Sequence, residues 1–197
     1  MIEYIHTITK EEIASLPQEE FKGRIIVIDT EELADKAVKY LSLFPYVGFD
    51  TETRPTFRKG QSNLVSLMQI AVDNACFLFR LNKIGIPPSL HYFLAKNNTT
   101  LKIGLSLKDD FAALRKRVEI EPVNFLDLQS VVGEYGIEDS SLQKIYAILF
   151  SKKISKGQRL TNWDFKTLND AQQRYAALDA WACLRIYNQL MTQNELH

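Results

Sequence analysis

The chain has 197 residues, carries 24 Lys and Arg against 24 Asp and Glu, and is 46% hydrophobic, so its formal net charge is zero. This composition excludes disordered, collagen-like and disulfide-scaffold proteins and predicts a single domain with a sizeable core. A neutral chain also lacks the bulk positive charge with which histones hold nucleic acid, so any nucleic-acid role must depend on a local site.

The sequence has no feature of a membrane span or a secretory leader. Its longest uncharged stretches, 61–72 and 84–95, are far shorter than the roughly 20 apolar residues that cross a bilayer. The first ten residues contain neither a basic leader nor an apolar run, which predicts a cytoplasmic protein without membrane partners. Cys76 and Cys183 have no Cys or His close by in the sequence, so they have no zinc-site spacing and are interpreted as buried hydrophobic residues.

Strands dominate the earlier part of the chain. Four consecutive β-branched residues favour a strand at 24–29, and Thr30 can cap a following helix that ends before Pro45. Apolar runs bounded by turn residues predict the remaining strands. These strands cover 47–53, 64–72, 75–81 and 101–105.

Helices dominate the later part of the chain. Because the strands come early and the helices late, the chain is predicted to be an α/β domain with a mixed sheet and helices on its faces. Residues 1–22 are interpreted as an N-terminal extension and residues 23–197 as the domain itself. The predicted helices cover 89–96, 110–117, 125–135, 141–150 and 168–193.

Two carboxylates mark the end of the second predicted strand. Asp50 and Glu52 lie two residues apart, so their side chains point to the same face and could share a metal ion. An Asp-x-Glu pattern is common by chance and also fits a solvated strand end. The apolar residues before Asp50 make the strand look buried up to that point, however, which puts both acids at the edge of a core, where α/β sheets carry their sites.

Two further acidic elements follow at a distance. Asp109 and Asp110 come just after the strand at 101–105, where acids usually serve as helix caps. Tyr175 and Asp179 lie four residues apart, one turn along the same face of the last helix. Small residues around them would let that helix pack closely, and these are Ala176, Ala177, Ala180 and Ala182.

Taken in this order, the three motifs resemble those of the DEDD-type 3'-5' exonucleases with a tyrosine in the third motif, in particular the Werner-type exonuclease domain and the RNase D domains. The resemblance extends roughly from 46 to 187 and implies a ribonuclease H-like fold. It puts Asp110 on the catalytic position of the second motif, with Asp109 as the alternative one residue away. The matching segments are 49–52, 104–110, 155–163 and 175–180.

The resemblance implies a nuclease that removes nucleotides from 3' ends by two-metal-ion hydrolysis. Four converging carboxylates would repel one another unless cations joined them, and oxygen ligands without Cys or His favour Mg²⁺ or Mn²⁺. In the family's division, Asp50 contacts both ions, Glu52 and Asp179 hold the ion that activates water, and Asp110 holds the other. Tyr175 is expected to orient the attacking water.

The expected partner is single-stranded or 3'-ended nucleic acid, with DNA favoured over RNA. Basic residues of the acid-free segment 140–163 are candidates for phosphate contacts, although a solvated loop explains them equally. Trp163 could stack a base but fits the core better, and Leu67 and Met68 also fit a sheet core. A second basic patch comprises Arg54, Arg58 and Lys59. The predicted substrate-binding residues are Thr51, Met68, Gln69, Lys152, Lys153, Lys156, Arg159 and Trp163.

Two other functions compete with this interpretation. A haloacid-dehalogenase-type phosphatase would need Asp where the chain has Glu52, and it would leave the tyrosine motif without a purpose. A binding module that kept the fold and lost the chemistry would not need all four acids and the tyrosine.

Overall fold

The structure is a computed structural model that describes residues 4–57, 60–97 and 99–194. Within these ranges the chain forms six strands and seven α-helices. The strands are β1 Arg24–Ile28, β2 Tyr46–Thr53, β3 Val65–Val72, β4 Ala75–Phe79, β5 Leu101–Gly104 and β6 Phe125–Asp127. The helices are α1 Lys10–Ser15, α2 Glu31–Leu41, α3 Leu81–Ile84, α4 Pro88–Ala95, α5 Leu107–Arg115, α6 Leu142–Phe150 and α7 Asp170–Asn194.

The six strands form one mixed sheet in the order β1-β4-β3-β2-β5-β6. The hairpin strands β2, β3 and β4 pair antiparallel, whereas β1 joins β4, β5 joins β2 and β6 joins β5 in parallel. All eight residues of β3 are buried, because helices cover both faces of the sheet at its centre. The predicted α/β class with a mixed sheet is confirmed.

Each face of the sheet has its own apolar core. Leu67, Ala71 and Cys76 pack with α6 and α7 on one face. Phe49, Met68 and Ile70 pack with α2 and α4 on the other. Both cysteines are buried, as interpreted from the sequence. Within the described part of the chain, no helix combines the length and the apolar character needed to cross a membrane.

The predicted helix at 125–135 is wrong in its first part. Residues 125–127 form the edge strand β6, and two short 3-10 turns follow it. A strand of three residues is too short to show the alternation of apolar and polar residues that identifies strands in a sequence. The helix predicted at 110–117 begins earlier, at Leu107.

The segment before β1 packs onto the domain. Ile8, Ile13 and Phe21 are buried in the same core as α6 and α7. The carboxylate of Glu19, only 5% exposed, accepts hydrogen bonds from Tyr146 (2.8 Å) and Lys152 (3.0 Å). The segment is therefore fastened to α6 and to the loop after it, while its description as an extension stays a prediction.

Candidate active site

Three carboxylates meet on the α7 face of the sheet. Asp50 and Glu52 project from the end of β2, and Asp179 projects from α7 above them. One oxygen of each lies within 4.8 Å of the others. Glu52 and Asp179 are buried and Asp50 is half-buried, so the cluster lies below the surface rather than on a solvated strand end.

Gly48 explains how α7 comes close enough to β2. A Cβ atom at this position would lie 1.9 Å from the carbonyl oxygen of Ala180 and 3.2 Å from the Cβ of Leu184. The backbones of helix and strand are therefore in direct contact here. Small residues on the helix complete this close packing, and Ala176, Ala177, Ala180 and Ala182 have no exposed surface. Asp179, next to Ala180, is thereby held over Asp50.

Asp110 joins the cluster from α5. It is 9% exposed, and one of its oxygens accepts a short hydrogen bond from the hydroxyl of Thr51, the residue between the two β2 acids. Asp109 is exposed. The start of the helix is capped from another element, because the Asp127 carboxylate accepts from the backbone N–H groups of Ser106 (3.0 Å) and Leu107 (2.9 Å).

Burial raises the pKa values of all four acids, and repulsion between carboxylates adds to the rise for Asp50 and Glu52. Burial, followed by repulsion from Asp110, Glu52 and Asp179, holds the pKa of Asp50 well above its usual range. Burial and neighbouring carboxylates raise the pKa of Glu52 to about 9, and Arg159 opposes that rise. Burial raises the pKa values of Asp110 and Asp179 to about 7. The carboxylates cannot all ionise at neutral pH without added positive charge.

Tyr175 lies one turn before Asp179, and its hydroxyl donates a hydrogen bond to that carboxylate. Burial and the surrounding acids raise the pKa of the phenol far above its usual value, so Tyr175 keeps its proton. Trp163 is fully buried behind it, with the two ring centroids 6.0 Å apart. The tryptophan thus occupies the core position that the sequence favoured over base stacking.

A cavity of about 570 Å³ opens over the carboxylates. Its lining includes Thr51, Asp109 and Asp110 together with the basic residues Lys156 and Arg159. Both basic residues are exposed. The remaining polar residues of the lining, none of them predicted to bind substrate, are Gln129, Ser140, Ser141, Gln143 and Ser155.

The other predicted substrate-binding residues lie away from this cavity. The Lys152 ammonium binds Glu19, and that of Lys153 donates to the Ala14 carbonyl (2.6 Å). Met68 is fully buried in the opposite core, and Gln69 is fully buried beneath α7. Leu67, also fully buried, belongs to the sheet core.

Only one residue of the second predicted basic patch belongs to the described part of the chain. Arg54 is exposed in the loop after β2, whereas Arg58 and Lys59 lie outside the described residues. The patch stays a prediction.

The two acids of the second motif are expected to differ sharply when mutated. Asp110→Asn should lower kcat for metal-dependent hydrolysis by about 10³-fold, because it removes one carboxylate from the cluster. Asp109→Asn should change kcat by no more than about threefold, because that side chain is exposed and is not one of the buried carboxylates. Steady-state kinetics of the two purified variants would measure this difference. A loss confined to Asp109→Asn would show that the alignment is shifted by one residue.

Comparison with known proteins supplies the family. The model of a family described as 3'-5' exonuclease matches residues 25–195. The chain belongs to this family. The membership confirms the resemblance inferred from the three motifs, and the matched region contains all four acids and the tyrosine.

Individual members of the 3'-5' exonuclease family agree in sequence and fold. A 3'-5' exonuclease of Arabidopsis thaliana is 31% identical over 192 residues, which cover 89% of this chain and 66% of the relative. The bifunctional 3'-5' exonuclease/ATP-dependent helicase WRN of Mus musculus is 29% identical, over 89% of this chain and 13% of the relative. Escherichia coli RNase D superposes with a TM-score of 0.77 at 21% identity, over 88% of this chain and 46% of its own, so it agrees in fold.

Proposed function

We propose that the chain removes nucleotides from the 3' ends of nucleic acid by hydrolysing phosphodiester bonds with two divalent metal ions. The observation that carries this proposal is the meeting of the Asp50, Glu52 and Asp179 oxygens within 4.8 Å, beside an open cavity whose lining includes Asp50 and Asp179. Family membership supports the reaction class. The whole chain spans at most two thirds of the relatives compared, so its activity and substrates form part of the proposal.

The donor set fits divalent ions of the Mg²⁺ or Mn²⁺ kind. All the side-chain ligands would be carboxylate oxygens, which hard cations prefer. Two divalent ions would balance the charges of Asp50, Glu52, Asp110 and Asp179. The raised pKa values of these acids indicate the same need, because added positive charge would allow all four to ionise.

Tyr175 and Thr51 have separate roles beside the metal ions in this mechanism. When bound, the ions would supply the charge that lowers the pKa of an attacking water and neutralises the leaving 3' oxygen. Tyr175 keeps its proton and fixes Asp179 by its hydrogen bond, so we assign it the orientation of water rather than the role of a base. Thr51 holds Asp110 through its hydroxyl.

The substrate strand would lie in the cavity with its terminal phosphodiester at the carboxylates. Lys156 and Arg159, which also line the cavity, would contact its phosphates. RNase D of Escherichia coli is described as an exoribonuclease, so RNA is a candidate beside DNA, which we favour. Cytoplasmic location stays a prediction from the sequence of the first ten residues.

End-labelled oligonucleotides test the proposal directly. Single-stranded DNA, recessed duplex DNA and RNA are compared side by side, and at least one of them should be shortened from the 3' end in Mg²⁺ or Mn²⁺ and remain intact in EDTA. Circular single-stranded DNA serves as the control, because an exonuclease requires an end. Cleavage of the circle would contradict the exonuclease assignment. Tight oligonucleotide binding without cleavage in Mn²⁺ would favour the binding module instead.

Removing the two basic residues that line the cavity should weaken substrate binding more than it slows the hydrolytic step. The double variant Lys156→Gln/Arg159→Gln is expected to raise KM for an oligonucleotide about tenfold, with kcat changed less, and to flatten the dependence of KM on salt. The charge-matched control is Lys36→Gln/Lys39→Gln on α2, where both lysines are exposed and remote from the cavity. Equal effects in the two double variants would show that only net charge matters.

A further inference from the structure

Gln69 is a buried amide with no apparent structural purpose. Its side chain has no exposed surface, and neither its nitrogen nor its oxygen has a hydrogen-bond partner within the described structure. Burying an amide without partners is costly, and an apolar side chain of the same size would avoid that cost. An unpaired amide at the centre of a sheet therefore calls for a functional explanation.

Strand pairing shows which group the amide faces. Gln69 of β3 lies directly opposite Asp50 of β2 in the antiparallel register. Residues opposite each other in such a pair project to the same face with Cβ atoms about 4.5–5.5 Å apart, within reach of a long side chain. Both side chains therefore lie on the face covered by α7, where the neighbours of Gln69 along β3 pack.

The lining of the cavity makes a direct contact between Gln69 and the substrate unfavourable as an explanation. Gln69 is absent from the described residues that line it, whereas Asp50 is on its wall. Asp50, rather than the amide, is therefore the group that a ligand in the cavity would meet. An amide N–H in this position can donate to the carboxylate oxygen that faces the sheet, which leaves the other oxygen directed at the cavity.

We propose that Gln69 is a positioning residue: its side-chain amide, which has no partner in this structure, would donate a hydrogen bond to Asp50 when a divalent ion is bound and so fix the orientation in which this carboxylate holds the ion. The inference rests on the proposed function, since it assigns Asp50 to the metal site. Groups that orient metal ligands in this way typically contribute about 10–100-fold to metal affinity or activity.

The test replaces the amide with an apolar side chain of similar length, Gln69→Met. The Kd for Mn²⁺ alone, measured by calorimetry, should rise about 10–100-fold, and kcat should fall by a similar factor with KM within about twofold. The melting temperature in EDTA should stay unchanged or rise, because an unpaired buried amide has been removed. Gln69→Leu is the second variant if Gln69→Met does not fold.

The control is Leu78→Met. Leu78 pairs with Gln69 from the other side, on β4, so this variant alters the same layer of the core without removing a polar group. It should bind Mn²⁺ like the wild type. A lower melting temperature in EDTA with unchanged Mn²⁺ affinity in Gln69→Met would show a purely structural role. A raised KM with unchanged kcat would show a substrate contact, and either result overturns the proposal, as would wild-type values throughout.

Asp50→Asn, measured in parallel, separates this inference from the proposed function. If Asp50→Asn binds Mn²⁺ and degrades oligonucleotides like the wild type, the metal site itself is misassigned. If Asp50→Asn loses both properties while Gln69→Met keeps both, only the role of Gln69 is wrong.

Discussion

Asp50→Asn is expected to lower kcat for 3'-end hydrolysis by about 10³-fold or more and, at the same time, to stabilise the metal-free protein. The loss of activity follows because Asp50 is central among the acids that would hold the ions. The gain in stability follows because the substitution removes a carboxylate whose charged form is disfavoured first by burial and then by repulsion from the neighbouring acids.

The sign of the stability effect depends on pH. A carboxyl group whose pKa is raised by folding binds protons more tightly in the folded than in the unfolded chain, so stability falls as pH rises between the two values. That interval runs from about 4 to about 7 for Asp110 and Asp179 and extends to about 9 for Glu52. Metal-free wild type should therefore lose stability from pH 4 to pH 9.

Calorimetric melting in EDTA at pH 8 checks this prediction. Asp50→Asn should melt about 2–4 °C above the wild type, which corresponds to about 1 kcal/mol in a chain of this size. Mn²⁺ should raise the melting temperature of the wild type and leave that of the variant nearly unchanged. Asp35→Asn, at an exposed position on α2, is the charge-matched control. A variant that melts below the wild type in EDTA would contradict the repulsion argument.

Local periodicity was enough to predict the parts of the site that lie on one element. Asp50 and Glu52 share a face because side chains alternate along a strand, and Tyr175 and Asp179 share one because four residues make about one helical turn. The alanines of α7 likewise predicted its close packing. Each of these inferences depends only on residues close together in the sequence, so contacts between distant segments do not alter it.

Contacts between distant segments could not be predicted in this way. Asp109 and Asp110 were ambiguous because both could cap α5, yet the cap comes from Asp127, which belongs to a strand that the sequence did not indicate. Lys152 resembled a phosphate ligand because its partner Glu19 lies 133 residues earlier. A sequence pattern contains no information about such pairings until the fold has brought the segments together.

Gly48→Ala should be the most damaging substitution outside the acids. The added methyl group would lie 1.9 Å from the Ala180 carbonyl oxygen and 2.9 Å from its carbon. Both are backbone atoms, so α7 must move away from β2. Overpacking of this kind typically costs about 1–3 kcal/mol, and a value near the upper end is expected because no flexible side chain can give way. The melting temperature should fall by about 6–12 °C.

The same shift should impair catalysis even in molecules that remain folded. Asp179 and Tyr175 move with α7, and a displacement of about 1 Å at a reacting centre can cost about 100-fold in rate. We therefore expect kcat to fall about 100-fold at a temperature where Gly48→Ala is fully folded by circular dichroism. Gly133→Ala is the matched control, because a Cβ atom there meets nothing within 4 Å. Wild-type melting and activity in Gly48→Ala would show that contact between β2 and α7 does not set the position of Asp179.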